Sequence, residues 1–121
     1  MIKQSIEKGD IWLVNLNPSR KGELGKSGRP SIVIQTTEAS KYLPTVVIVP
    51  LSSKKQRAEL EIKIIPNKIN NLKRESYILW WHIYTVDKLN LMEKVGTVNN
   101  EILNELSQNI IDTLGFSNVL N

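Results

Sequence analysis

The residues of this chain that could carry chemistry are one arginine, Arg29, and a pair of serines, Ser52 and Ser53. The sequence contains one histidine and no cysteine, which excludes thiol catalysis, thiolate metal sites and paired histidine ligands. No glycine-rich phosphate loop follows a strand and opens a helix, and the carboxylates are not spaced as paired ligands on one helical face. Any chemistry must therefore use arginine, hydroxyl groups, one glutamate and the backbone, and no metal or cofactor is expected.

Such a set of groups is sufficient for one reaction class, the attack of an RNA 2′-hydroxyl on its neighbouring phosphate. The substrate supplies the nucleophile, so the protein has to orient it, stabilise charge on the phosphate oxygens and move two protons. A guanidinium can give a phosphate two parallel hydrogen bonds, and a serine hydroxyl can donate another. The alternative is that Arg29 is a surface cation and that the serines form a turn. These features by themselves leave both interpretations open.

Basic residues are concentrated in the first half of the chain. The net charge is +4, and the basic surplus lies in two clusters, one in the glycine-rich stretch that leads to Arg29 and one directly after the serines. A basic patch of this kind is typical of proteins that bind a polyanion; a merely solvated surface is the alternative. The clusters are Arg20, Lys21, Lys26 and Arg29, and Lys54, Lys55 and Arg57.

Runs of β-branched and aromatic residues predict the strands that position these groups. Strands are expected over residues 11–16, 31–35, 45–49, 60–64, 77–86 and 94–98. The runs at 31–35 and 45–49 are almost continuously apolar, which predicts central strands buried on both faces. If the third strand continues to the serines, Ser52 and Ser53 point to opposite sides, so only one of them can share a site with Arg29.

The last part of the chain changes period. Apolar residues recur at spacings of three and four from Glu101 onward, which predicts a single amphipathic helix after the strands. Asn99 or Asn100 can cap its start, and Gly115 stands where a glycine commonly ends a helix. No repeat or linker is present, so residues 1–121 are expected to form one domain. The predicted fold is mainly β with a C-terminal helix: a small, strongly bent antiparallel sheet or partly open barrel that the helix closes.

The sequence also bears on location. The first residues lack an apolar stretch long enough for a signal peptide. The longest apolar run, 46–51, is far too short to span a membrane. These two features lead us to expect a cytoplasmic protein with no membrane partner, and the absence of cysteine, which precludes a disulfide framework, is consistent with a reducing compartment.

Several short motifs occur in an order that resembles the MazF/PemK family of toxins. They are Gly9-Asp10-Ile11-Trp12, Asn17-Pro18, Gly28-Arg29-Pro30, Lys41-Tyr42-Leu43-Pro44-Thr45-Val46-Val47, Pro50-Leu51-Ser52-Ser53-Lys54, Thr85-Val86-Asp87-Lys88-Leu89 and Glu93-Lys94-Val95-Gly96-Thr97. Each motif alone is weak, but the ordered set extends over almost the whole chain. The sequence is therefore similar to this family along nearly all of its length.

The resemblance implies an SH3-like β-barrel with a C-terminal helix, a homodimer, and an antitoxin partner whose extended tail occupies the RNA groove. It also implies a metal-independent endoribonuclease that cuts single-stranded mRNA at short sequences and leaves a 2′,3′-cyclic phosphate and a 5′-hydroxyl. The family's catalytic arginine falls on Arg29. Its catalytic threonine falls on Ser52, which keeps the hydroxyl and loses the methyl group. The family's loop glutamate falls on Glu23, a candidate for the base or for an RNA contact.

One segment departs from the family pattern. Where the family has Glu-Gln-Ile-Arg-Thr, this chain has Trp81-His82-Ile83-Tyr84-Thr85, which places larger aromatic groups near the expected RNA groove or dimer surface. Tyr84 could stack on a base and His82 could act as an acid or base near neutral pH; packing in the barrel and a structural or surface histidine are the alternatives. The residues predicted to bind RNA are Arg20, Lys21, Lys26, Ser53, Lys54, Lys55, Arg57, His82 and Tyr84.

Two other functions stay open at this stage. Toxins of the CcdB type share this barrel and poison DNA gyrase without catalysis, and such a protein would not need the pair of Arg29 and Ser52. A plain nucleic-acid-binding module would grip phosphate with the basic loop and cut nothing. Incubation with RNA distinguishes the three, because only the enzyme yields fragments.

Overall fold

The computed structural model describes residues 4–16, 28–55 and 59–116. Within these ranges the elements are β1 (Asp10–Val14), β2 (Arg29–Val33), α1 (Thr37–Tyr42), β3 (Thr45–Ser52), β4 (Ile62–Ile64), β5 (Ser76–Ile78), β6 (Tyr84–Asp87), a 3₁₀ turn (Lys88–Asn90), β7 (Leu91–Thr97) and α2 (Asn100–Leu114). No helix of the described ranges is long and apolar enough to cross a membrane. The predicted mainly β fold with a C-terminal helix is confirmed.

The strands form one curled antiparallel sheet. Their order is β4-β5-β3-β2-β1-β7, and β6 pairs with β3 outside this path. β3 is the centre of the sheet, with β2 along one side. On its other side the first half of β3 pairs with β6 and its last two residues pair with β5. Because two separate strands share one edge of β3, the sheet bends there into a half-barrel.

Apolar residues are buried on both faces of this sheet. One face forms the larger cluster, in which Leu106 of α2 is fully buried. Burial of a leucine side chain contributes about 1.5–3 kcal/mol, so this contact helps to hold α2 on the sheet. The larger cluster is Ile11, Ile32, Val49, Leu51, Ile62, Ile64, Ile78, Trp80, Val98 and Leu106. The cluster on the other face is Trp12, Val14, Val33, Val46 and Ile48. The prediction that β2 and β3 are buried on both faces is confirmed.

The ends of α2 match the predicted capping residues. Asn99 is the N-cap, and its side-chain oxygen accepts a hydrogen bond of 2.8 Å from the backbone N–H of Ile102. At the other end Gly115 adopts a left-handed conformation with φ of 80°, and its N–H donates to the carbonyls of Ile111 and Asp112. A residue without Cβ adopts this conformation at little cost. Local side-chain chemistry therefore sets both ends of this helix.

A short helix, α1, lies between β2 and β3, so the prediction of a single helix is wrong. Thr36 is its N-cap, with Oγ1 accepting a hydrogen bond of 3.1 Å from the N–H of Ala39. The buried Ser40 hydroxyl donates to the carbonyl of Thr36 at 2.9 Å. A helix of six residues is too short to show an amphipathic period, which is why the sequence pattern did not indicate it.

The predicted strand over residues 77–86 is also wrong, because the chain divides there into β5 and β6. The backbone N–H of His82 donates to the carbonyl of Leu79 at 3.0 Å, which closes a turn between the two strands. Trp80 in this turn is buried, and its indole N–H donates to the carbonyl of Leu60 at 2.7 Å. The buried tryptophan therefore interrupts a stretch whose composition favours one continuous strand.

Candidate active site

A cleft of about 800 Å³ lies at one end of the sheet. Residues from β1, β2, β3 and β7 line it, together with residues of the connection between β4 and β5. It contains four residues singled out by sequence, Arg29, Ser52, Ser53 and Lys54. The fold therefore brings the candidate arginine and the candidate hydroxyls into one concave surface.

Arg29 is the first residue of β2 and its side chain is exposed. It pairs with Val14 of β1, which holds its backbone in the sheet. Gly28, directly before it, has a φ of 59°, and a Cβ there would lie 3.3 Å from backbone atoms of Val14 and 2.8 Å from the sulfur of Met92. Glycine is thus required for this tight entry into β2. The backbone of Arg29 is fixed while its guanidinium can reach a ligand in the cleft.

Ser52 reaches the same end of the sheet from β3. β2 and β3 pair with Ser31 opposite Pro50. Arg29 lies two residues before Ser31 and Ser52 two residues after Pro50, so in this antiparallel pair both lie at the same end. The last residue of β3, Ser52, also pairs with Tyr77 of β5. Two consecutive strands, paired antiparallel, thus deliver an arginine and a hydroxyl to one site.

The Ser52 hydroxyl is already engaged in a local turn. Its oxygen accepts a hydrogen bond of 3.0 Å from the backbone N–H of Lys54, and it lies 3.0 Å from the Lys54 carbonyl, to which it can donate. This contact shapes the turn that follows β3 and places Lys54 beside the cleft. The hydroxyl therefore has both a structural contact and access to a ligand.

Ser53 lines the cleft as well, and the condition behind the expectation that only one serine shares a site with Arg29 is not met. The expectation assumed a strand continuing through both residues, in which neighbours face opposite sides. β3 ends at Ser52 instead, and the chain bends at Ser53. Position alone does not distinguish the two hydroxyls.

The other residues predicted to bind RNA fall into two groups. Arg20, Lys21, Glu23, Lys26 and Arg57 lie outside the described residues. Lys55, His82 and Tyr84 are described, and none of them lines the cleft. His82 is exposed with its ring 5.6 Å from that of Trp81, and Tyr84 pairs with Ile48 on β3. The described part of the cleft therefore has no contribution from the segment that departs from the family pattern.

Trp81, the first residue of that segment, and Trp80 directly before it pack into the protein. Trp80 belongs to the larger core cluster and Trp81 packs against that cluster while partly exposed. Their rings meet edge to face with centroids 5.5 Å apart, a favourable arrangement for aromatic pairs. These side chains stabilise the turn between β5 and β6.

Four charged residues line the cleft that sequence reasoning did not select: Lys73, Arg74, Glu93 and Lys94. The adjacent Lys73 and Arg74 were visible in the sequence as a basic pair, but nothing local related them to Arg29. Glu93 and Lys94 reach the cleft because β7 pairs with β1, where Leu13 is opposite Glu93. No local pattern reveals a pairing between strands so distant in sequence.

Lys94 is held by a buried carboxylate. Asp10 is 1% exposed, and its Oδ2 accepts hydrogen bonds from the N–H of Glu7 at 2.9 Å and from the indole of Trp12 at 3.3 Å. Its Oδ1 accepts no hydrogen bond within the described part of the chain. The Lys94 ammonium lies 3.3 Å from that oxygen and compensates its charge. Lys94 therefore contributes less free charge to the cleft than an unpaired lysine would.

The charge of the cleft favours an anionic ligand. Among its described residues are five cations, Arg29, Lys54, Lys73, Arg74 and Lys94, and one carboxylate, Glu93. Even with Lys94 partly neutralised, positive charge is in excess. Concave surfaces with such an excess attract anions and raise their local concentration. Within the described ranges no three His, Cys, Asp or Glu side chains are grouped to hold a metal ion.

Comparison with known proteins identifies the family. Residues 7–114 match the family described as PemK-like, MazF-like toxin of type II toxin-antitoxin system. This chain belongs to that family. The resemblance seen in the ordered motifs is thereby confirmed, and the family match includes Arg29, Ser52 and every described residue that lines the cleft.

Solved structures of MazF proteins and of a mycobacterial endoribonuclease have the same fold as this PemK/MazF-like toxin. MazF from Deinococcus radiodurans is 18% identical with a TM-score of 0.75, covering 93% of this chain and 99% of its own. An endoribonuclease from a mycobacterial species, in complex with its cognate antitoxin, is 17% identical with a TM-score of 0.71, covering 93% and 96%. A MazE–MazF structure from Deinococcus radiodurans is 15% identical with a TM-score of 0.73, covering 93% and 98%. At these identities the likeness establishes the fold.

Proposed function

We propose that this toxin is an endoribonuclease that cuts single-stranded mRNA at short sequences in the cytoplasm, without a metal ion. The observation that carries the proposal is that Arg29 and Ser52, delivered by different strands, lie in one cationic cleft. The similarity of the fold to a mycobacterial endoribonuclease and to MazF proteins supports it. A gyrase poison or a plain binding module would have no requirement for this pair.

In the proposed reaction the 2′-hydroxyl oxygen attacks the adjacent phosphorus and the bond from phosphorus to the 5′-oxygen breaks. The products are a 2′,3′-cyclic phosphate and a 5′-hydroxyl. One proton leaves the 2′-hydroxyl for a base, for which Glu23 is the candidate, and another reaches the departing 5′-oxygen. Arg29 stabilises the charge on the phosphate oxygens and is the proposed proton donor. Glu23 lies outside the described residues, so its part rests on the family resemblance alone.

Ser52 is proposed to hold the same phosphate. Its oxygen already accepts from the N–H of Lys54, so its own proton can turn from the Lys54 carbonyl to a phosphate oxygen. That exchange requires only a rotation of the hydroxyl. The Lys54 N–H holds the hydroxyl oxygen in place before the substrate binds, so only the proton has to reorient, and a donor whose position is set in advance stabilises transition-state charge strongly.

Purified protein incubated with a long single-stranded RNA in excess EDTA is expected to yield discrete fragments with 5′-hydroxyl ends. The substrate's own hydroxyl is the nucleophile, so chelation of metal ions should not slow the reaction. Gel analysis and sequencing of the fragment ends measure both the cutting and its sequence preference. Arg29→Ala protein prepared in parallel controls for contaminating ribonuclease. Intact RNA with wild-type protein would refute the enzyme and favour a gyrase poison or a binding module.

We also propose that the toxin is a homodimer that a cognate antitoxin covers. A mycobacterial structure of this fold contains a cognate antitoxin, and two-fold dimers are the commonest way for a small domain to build a groove across two copies. Sedimentation at micromolar concentration is expected to show a species of twice the 13.8 kDa chain mass. A single species of the chain mass would contradict the dimer.

A further inference from the structure

Lys73 and Arg74 form a second basic surface of the cleft, here called the Lys73–Arg74 wall. Both are exposed and line the same cleft as Arg29 and Ser52. They come from the connection between β4 and β5, whereas Arg29 and Ser52 come from β2 and β3. A ligand that binds Arg29 and fills the cleft therefore also contacts Lys73 and Arg74, which belong to a different part of the chain.

The backbone that leads to the wall is rigid. Asn67 Oδ1 accepts hydrogen bonds from the N–H groups of Ile69 and Asn70 at 2.9 and 2.8 Å. In return Asn70 Oδ1 accepts from the N–H groups of Asn67 and Leu72, each at 3.0 Å, and its Nδ2 donates to the carbonyl of Ile65 at 3.0 Å. Asn70 is 2% exposed. A buried side chain with all these partners fixes the loop directly before Lys73.

The same loop is fastened to β7, which also lines the cleft. Asn71 Nδ2 donates to the carbonyl of Val95 at 3.0 Å, and the N–H of Thr97 donates to the carbonyl of Ile69 at 3.1 Å. Gly96 permits this contact, because a Cβ there would lie 2.5 Å from the Ile69 oxygen. The wall therefore stands at a set distance from the sheet, and less ordering is needed when a ligand binds.

The charges of the wall are available to a ligand. The neighbouring carboxylate, Glu75, lies 3.3 Å from the ammonium of Lys63 on β4. Within the described ranges neither Lys73 nor Arg74 has an ion-pair partner. Two exposed cations on a rigid loop, without an ion-pair partner among the described residues, are suited to phosphate groups, and the guanidinium can give one phosphate two hydrogen bonds.

We propose that the Lys73–Arg74 wall binds the sugar–phosphate backbone of the single-stranded RNA beside the scissile phosphate. The inference rests on the proposed function for the identity of the ligand, and it names residues that contribute affinity and direction rather than chemistry. The RNA enters between the wall and the end of β3, and its phosphates contact the wall while Arg29 holds the phosphate that is cut. Such contacts are alike in the ground state and the transition state, so their loss raises KM and leaves kcat unchanged.

The test compares two double variants that each remove two positive charges. Lys73→Ala/Arg74→Ala deletes the wall, and Lys8→Ala/Lys68→Ala removes two exposed lysines that do not line the cleft. The probe is a fluorescent 2′-O-methyl oligonucleotide of about twelve nucleotides, which cannot be cleaved. Fluorescence anisotropy at several salt concentrations gives the affinity and its salt dependence. Thermal melting of both variants checks that they are folded.

The wall variant is expected to bind the probe about tenfold more weakly at low salt. Its log–log salt slope should fall by about 1.4, since each phosphate contact of a single strand contributes about 0.7. The control variant should stay within about twofold of wild type. With cleavable RNA the wall variant should show a higher KM and an unchanged kcat.

Equal binding losses in the two double variants would overturn the inference, because they would show an effect of net charge alone. Wild-type affinity in the folded wall variant would overturn it too. The wall would then be assigned to another partner, such as an acidic antitoxin segment. Failure of the wild type to cut RNA would refute the proposed function, yet the binding comparison would still decide the role of the wall. A loss of kcat without a change in KM would place the wall in the chemistry and contradict the proposal.

Discussion

Replacement of Arg29 by alanine is expected to abolish detectable RNA cleavage while the thermal unfolding of the protein stays as in the wild type. Arg29 is exposed and belongs to neither core cluster, so its side chain adds little to stability. Removal of one preorganised donor to transition-state charge costs about 10²–10³ in rate. Arg29 is proposed both to stabilise the phosphate charge and to donate a proton, so the combined loss should exceed that range. Single-turnover cleavage of a short labelled RNA measures it.

The control for this prediction is Arg29→Lys. Lysine keeps the positive charge but cannot give the two parallel hydrogen bonds of a guanidinium. We expect it to retain much of the affinity for a non-cleavable oligonucleotide and to remain strongly impaired in cleavage. Full cleavage by Arg29→Ala would exclude the proposed mechanism, provided that other variants purified in the same way show no contaminating ribonuclease.

Ser52→Ala is expected to lower the cleavage rate by about two orders of magnitude, by the same loss of a donor. Ser53→Ala should stay within about tenfold of the wild type, because the family pattern selects Ser52. Both serines line the cleft, so the structure makes this comparison more necessary. Rates from single-turnover cleavage, measured on the two variants side by side, decide which hydroxyl acts.

The Ser52 hydroxyl also bonds the Lys54 backbone, so alanine could act by releasing the turn. Ser52→Thr distinguishes the two effects, since threonine keeps the hydroxyl and should retain cleavage near the wild-type level. A slow Ser52→Ala variant that binds the non-cleavable oligonucleotide normally would place the loss in the chemical step. A large loss in Ser53→Ala together with an active Ser52→Ala would keep the mechanism and reassign the hydroxyl.

The candidate site illustrates which parts of a small β protein follow from local sequence. Arg29 and Ser52 could be selected from their residue types and from the motifs around them. Each motif is a short contiguous segment whose chemistry is visible without the fold. Lys73 and Arg74 were equally visible as a basic pair, but their relation to Arg29 depends on the Asn70 loop, whose contacts with β7 join segments distant in the chain.

By itself the sequence determined the central strands, the helix α2 and its caps. Runs of β-branched residues, the helical spacing of apolar residues and the capping residues are all local signals, each contained within a short stretch of the chain. Only the tertiary structure decided the rest. The turn between β5 and β6 forms because Trp80 is buried against the carbonyl of Leu60, which overrides the strand preference of its neighbours. Glu93 reaches the cleft because β7 pairs with β1. Strand pairing of this kind is chosen by the packing of the whole core, and no local pattern encodes it.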